Sequence, residues 1–147
     1  MRRATQADAE LLQRWHADPE VARFWDGKTY SVDDIRRRLA RPEVAAYVIE
    51  TGGEPIGYIQ AWSETAGSGG LDMFLIPSAR GRGNGSDAAR ALAAHLLEHG
   101  WERITTDPYT WNERAIRAWR RAGFEPVEER QPDEDHSARW LLMEWRG

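Results

Sequence analysis

The sequence predicts a mixed α/β fold on one central sheet, and three observations carry that expectation. The elements read in order as helices, hairpin, strand, helix, strand, helix and hairpin. Glycine, proline and serine mark the turns between them. No linker or internal repeat divides the 147 residues, a length suited to one sizeable core, so a single domain over 1–147 is expected.

Bulk composition narrows the function. A hydrophobic share of 41% with 30% charged residues is that of an ordinary globular chain. The longest apolar runs, such as AAYVI at 45–49, are too short for a membrane span, and MRRATQADAE lacks an apolar signal core, so the cytoplasm is the expected compartment. Without cysteine there is no disulfide, thiolate metal site or cysteine nucleophile. The net charge of −4 is spread evenly and leaves no basic face for nucleic acid. Mild acidity suits a cationic small substrate. Eight tryptophans are many for this length, and some are expected to line a site.

Each element has a local reason. Thr5 with Asp8 forms a capping box ahead of a helix carrying Leu11, Leu12 and Trp15 on one face. DPEVARFWDG reads as a further helical turn ending near Gly27. Ser31 with Asp34 is a second capping box, opening a helix to about Arg41 whose RRR at 36–38 reads as a solvated face. AAYVIE, the turn TGGE and PIGYIQAW make a hairpin; ETAGSGG reads as a loop and LDMFLIP as a strand. After ARGRGNG, residues Ala89, Leu92, Ala93 and Leu96 mark an amphipathic helix ended by Gly100. Arg103 to Asp107 is a strand, Asn112 caps a helix that stops at Gly123, and two strands surround the turn PDEDHS.

The stretch ARGRGNG at 79–85 carries the chemistry. A helix start offers unpaired N–H groups and a positive dipole end, and glycines let an anion approach the backbone closely. Arg80 and Arg82 add charged donors. The loop is therefore expected to hold a phosphate. It is not the GxxxxGK[ST] loop, because no lysine follows Gly85, and Gly81, Gly83 and Gly85 do not space as GxGxxG.

Arg80-x-x-Gly83-x-Gly85 between a strand and a helix resembles the pyrophosphate motif of the GNAT acyltransferases. NERAIRAWRRAGF at 112–124 is similar to that family's second signature, with Asn112, Ala115, an aromatic and Gly123-Phe124. GEPIGYIQAW, GLD and ITTDPYTWNERAI further resemble the aminoglycoside 6′-N-acetyltransferase branch, over nearly the whole chain. The resemblance implies a mixed, mostly antiparallel sheet splayed between its middle strands, with helices on both faces. It implies acetyl-CoA as co-substrate, no metal, and direct attack by a primary amine in a ternary complex. Its donor contacts fall on Met73, Phe74, Leu75, Arg80, Gly81, Arg82, Gly83, Asn84, Gly85, Asn112, Ala115, Ile116 and Trp119. Asp72 and Asp107 match acidic positions of the acceptor pocket, Asp72 being the favoured base, with backbone N–H groups of 73–75 polarising the carbonyl.

Chemistry supports those two carboxylates independently. A bound amine arrives protonated, so a carboxylate must attract it and take its proton. Asp72 stands in an apolar strand where an unpaired charge is costly, and Asp107 ends a strand. Trp25, Asp26, Trp62 and Glu64 are further acceptor-side candidates, aromatics for sugar rings and acids for ammonium groups. Trp119 stands where many family members have a tyrosine proposed to protonate the thiolate; an indole N–H donates a hydrogen bond but keeps its proton. That departure keeps a silent acyl-CoA-binding module in contention. Acylation of a protein N-terminus, a polyamine or a siderophore precursor also competes, the last disfavoured by the lack of a histidine near Asp72. HLLEH at 95–99 is not HExxH and shows no evident third ligand. The expected assembly is a monomer or homodimer.

Overall fold

The computed structural model describes residues 1–147 as a seven-stranded sheet in the order β1-β2-β3-β4-β5-β7-β6. The strands are β1 (Arg2–Arg3), β2 (Val44–Thr51), β3 (Glu54–Thr65), β4 (Ser68–Leu75), β5 (Arg103–Thr106), β6 (Phe124–Arg130) and β7 (Trp140–Trp145). The helices are α1 (Ala9–Ala17), α2 (Pro19–Ala22), α3 (Val32–Ala40), α4 (Asn84–Glu98) and α5 (Glu113–Ala122). Every strand pairing is antiparallel except β4 with β5.

Strand alternation divides the core into two layers. Ile59, Ala61 and Leu71 face α4 and α5, meeting Ala89, Leu92, Ala93 and Trp119. Tyr58 and Phe74, opposite each other across β3 and β4, face α1 to α3 and meet Leu12, Val21 and Ile35. Asp72, two residues before Phe74, shares that second face and stands opposite Gln60. Both capping boxes form as read, and Asn112 Oδ1 accepts from the Ala115 N–H at 3.2 Å.

ETAGSGG is not a loop. β3 runs to Thr65 and β4 starts at Ser68, leaving only Ala66 and Gly67 as the turn. Gly69 and Gly70 are strand residues because the neighbours demand bare backbone. A Cβ on Gly69 would lie 2.0 Å from the Trp62 carbonyl oxygen, and one on Gly70 would lie 3.0 Å from the Trp62 ring.

The parallel ladder covers only Ser68–Gly70 against Arg103–Thr105, and beyond it the two strands part. The Thr106 hydroxyl donates to Leu71 O at 3.1 Å near the apex of this wedge. The Ile76 N–H bonds Ile56 O at 2.9 Å, which fixes the alternation of the β3–β4 ladder. The N–H groups of Asp72 and Phe74 therefore point to β3, and those of Met73 and Leu75 point into the wedge. No helix is long and apolar enough to cross a membrane.

Candidate active site

At the open end of the wedge a turn, Pro77–Ala79, leads into Gly81 and Gly83, both left-handed with φ of 82° and 84°. Gly83 caps α4, and the chain carries no side-chain cap there. As a result the N–H groups of Gly81 through Ser86 make no hydrogen bond within the protein. Six consecutive unpaired donors at a helix start form a concave anion site. The cleft over them, about 340 Å³, is lined on its far side by Arg114, Arg117 and Arg121. These three lie on one stripe of α5, an i, i+3, i+7 spacing legible in NERAIRAWRR but not read as part of the site. Gly85 is needed for another reason: a Cβ there would press on Met73 at 3.3 Å.

The expected donor residues divide. Met73, Phe74, Leu75, Arg80, Gly81, Gly83, Gly85, Asn112, Ala115 and Trp119 line this cleft. Arg82 is exposed and not on the wall of this cleft; Asn84 is off the wall too, with its main-chain N–H unpaired; Ile116 packs on the core instead. Arg80 is less free than its charge suggests. Its Nε donates to Leu75 O at 3.1 Å and Nη2 to Glu20 O at 2.9 Å, with the guanidinium over Phe24. Burial, with Arg114 adding to it, lowers its pKa. Arg80 is thus a brace tying the loop to β4 and α2.

A second cleft of about 240 Å³ continues from the first past Phe24, Met73, Asn112, Ala115 and Trp119. It is acidic. Asp72 receives the Gln60 Nε2 donor at 3.0 Å, and Gln60 is oriented by the Tyr58 hydroxyl at 2.7 Å. Burial, then the charge of Asp107, pushes the Asp72 carboxyl up to about 7. Such a group is poised to exchange a proton near neutrality. Trp119 is 5% exposed and sits edge-on to Phe124.

Trp25 and Asp26 line this cleft, whereas Trp62 and Glu64 line a third, of about 440 Å³, on the other side of Asp72 and Asp107. Asp72 and Asp107 border both. Asp26 is the only non-glycine residue with positive φ, 60°, and it accepts from the Tyr109 and Ser137 hydroxyls. Those bonds join the segment before α3 to the β5–α5 connection through Tyr109 and to the β6–β7 turn through Ser137.

Two readings are corrected by the structure, and one side chain of the acidic cleft was not singled out from the sequence. Arg38 is not on a solvated face: it is half-buried, its guanidinium lies over Tyr30 and Trp25, and Nη1 is buried without a partner. Its charge, after burial, holds the buried His16 down at about 4. A histidine does reach the acidic cleft. His136, from the PDEDHS turn, places Nε2 at 2.7 Å from Asp107 and Nδ1 at 2.8 Å from Asp133. These hydrogen bonds raise it to about 9 despite partial burial. The signal was the i, i+3 pairing Asp133–His136 inside a short turn; its reach to Asp107 was not local. Finally, His95 and His99 do gain a third neighbour in Glu98, on an exposed face of α4 remote from the clefts.

Comparison with known proteins places this geometry among relatives. The sequence profile described as Acetyltransferase (GNAT) domain matches residues 4–131. The aminoglycoside N(6′)-acetyltransferase type 1 of Klebsiella pneumoniae is 31% identical over 146 residues, covering 85% of this chain and 73% of that one. The structure of AAC(6′)-Ib with paromomycin and acetyl-CoA superposes with a TM-score of 0.86 at 29% identity, covering 98% of this chain and 90% of that one. The same enzyme with coenzyme A and kanamycin gives 0.84 at 28%, covering 97% and 91%.

Proposed function

This chain belongs to the GNAT acetyltransferase family, and from that premise we propose that it moves the acetyl group of acetyl-CoA to a primary amine of an aminoglycoside, the 6′-amine by the names of its relatives. One observation carries the reading: the donor-lined anion cleft adjoins a carboxylate-lined cleft through the shared walls at Met73 and Trp119, and Asp72, next to Met73 on β4, lies on the acidic side. The fit to the donor is chemical. Unpaired N–H groups from Gly81 to Ser86 and guanidinium groups on α5 suit a pyrophosphate and its neighbouring phosphate. The parted strands β4 and β5 leave room for an extended arm to pair along the free edge of β4.

The chain's residues then divide the work. The N–H groups of Met73 and Leu75 point where a thioester carbonyl developing negative charge would be stabilised. Asp72 attracts the acceptor ammonium and takes its proton, leaving a neutral amine to attack the carbonyl carbon as the C–S bond breaks. Asp26 and Asp107 supply further negative charge along the acceptor cleft. The departing thiolate needs no acid of its own, since a thiol titrates near a pKa of about 8.5. Thiol release from acetyl-CoA, measured with kanamycin, spermidine and peptides, tests the proposal. Release with kanamycin well above the others is expected. Release only with a polyamine or peptide overturns the aminoglycoside reading, and acetyl-CoA binding without release on any amine identifies a silent binding module.

A further inference from the structure

His136 is bound in a way that settles its charge from geometry. Both ring nitrogens face carboxylate oxygens, Nε2 to Asp107 Oδ2 at 2.7 Å and Nδ1 to Asp133 Oδ1 at 2.8 Å. An ionised carboxylate only accepts, and a neutral imidazole has one donor, so both contacts require the imidazolium. The ring is only 12% exposed and stacks on Trp140 at 4.1 Å and 11°. Its turn is rigid. The Trp140 indole N–H donates to Asp133 Oδ2 at 3.1 Å, the Asp135 N–H to Asp133 Oδ1 at 2.9 Å, and main-chain bonds link Asp133 and His136 in both directions. A charged group is thus built into the wall shared by the second and third clefts.

We propose that His136 is a resident cation of the acceptor site, occupying on Asp107 the place an acceptor ammonium would take and so limiting how highly charged an acceptor the site favours. The inference rests on the aminoglycoside reading above. The groups around it explain the consequence. Asp107 and Asp133 face the ring as negative charges, and Asp135, Lys28 and Asp72 line the same cleft. Asp107 keeps Oδ1 free of any protein hydrogen bond, but the carboxylate is already half-compensated. An incoming ammonium meets a weaker attraction there and a like charge behind it. An acceptor bearing only the reacting amine has no ammonium to place at Asp107 and escapes this penalty.

The test compares the wild-type protein with His136→Gln, which keeps a hydrogen-bond donor and removes the charge. Calorimetry with kanamycin should give about tenfold tighter binding to the variant, and KM should fall in parallel, with a smaller change in kcat. For 6-amino-6-deoxyglucose, with one amine, KM should shift by less than about threefold. Nitrogen NMR of His136 in the free wild-type enzyme at neutral pH should find both ring nitrogens protonated. A neutral ring, or kanamycin binding equal or weaker in the variant, overturns the inference. Kanamycin binding without any turnover would instead overturn the aminoglycoside reading and leave the inference to the calorimetry. No kanamycin binding to either protein overturns both.

Discussion

The anion cleft takes its donors from one short run, Gly81 to Ser86, and presents them from the main chain. The acidic cleft beside it collects side chains from the segment before α3, from β4, from the end of β5, from α5 and from the β6–β7 turn. The contrast is between local and long-range construction. Two left-handed glycines and a helix start supply the main-chain donors of the first, and the side chains that join them, Arg114, Arg117 and Arg121, stand on one stripe of α5. The second exists only while distant elements hold register, and each of its charges is a separate side chain. Donor recognition should therefore break through backbone changes, and acceptor recognition through single charges.

The largest effect is expected at Asp72, in the acidic cleft beside the shared wall residue Met73. Asp72→Asn keeps shape and removes the base, and turnover with kanamycin should fall at least ~10²-fold. The carboxyl must be ionised to take a proton, and its pKa near 7 lies well above the usual 3.8. Wild-type kcat/KM should therefore rise with pH to about 7 and level above it, a break that disappears in the variant. The same raised pKa makes Asp72 contribute stability below about 3.8 that is lost as pH rises through about 7. Asp72→Asn should thus melt a few degrees higher at pH 8. Unchanged turnover would move the proton route elsewhere in the acidic cleft.

Backbone dependence is tested at Gly83, whose φ of 84° a β-branched residue resists and whose surroundings leave open space. Gly83→Val should weaken acetyl-CoA binding by ~10- to 100-fold through backbone strain, with the circular dichroism spectrum unchanged. Affinity retained in that variant would show that side chains, not main-chain donors, hold the phosphates, and would erase the contrast drawn above.

The smallest effect belongs to Trp119, which lines both clefts. Trp119→Phe keeps an aromatic and removes the N–H, and should cost less than about tenfold in turnover, under ~1.4 kcal/mol. Trp119→Ala opens a cavity at a residue only 5% exposed and should cost more in both stability and turnover. Equal losses in the two variants would give the indole N–H a part in the reaction.

The sequence by itself determined the order of elements, both capping boxes, the glycine-rich helix start and the cap at Asn112, and it singled out Asp72 and Asp107 as candidates. Each of these is written within a few residues, in side-chain periodicity, turn chemistry or one charge inside an apolar run. Only the tertiary structure decided that Gly69 and Gly70 are strand, because the reason is the packing of Trp62 and Trp101 against them. It alone turned Arg38 inward under Tyr30 and Trp25, made Arg80 a brace to Glu20, and split Trp25 and Asp26 from Trp62 and Glu64. It alone carried His136 to Asp107 across 29 residues. Local patterns fix backbone conformation, but which charges meet depends on how β4, β5 and β7 register and part, and no short stretch of sequence encodes that distance.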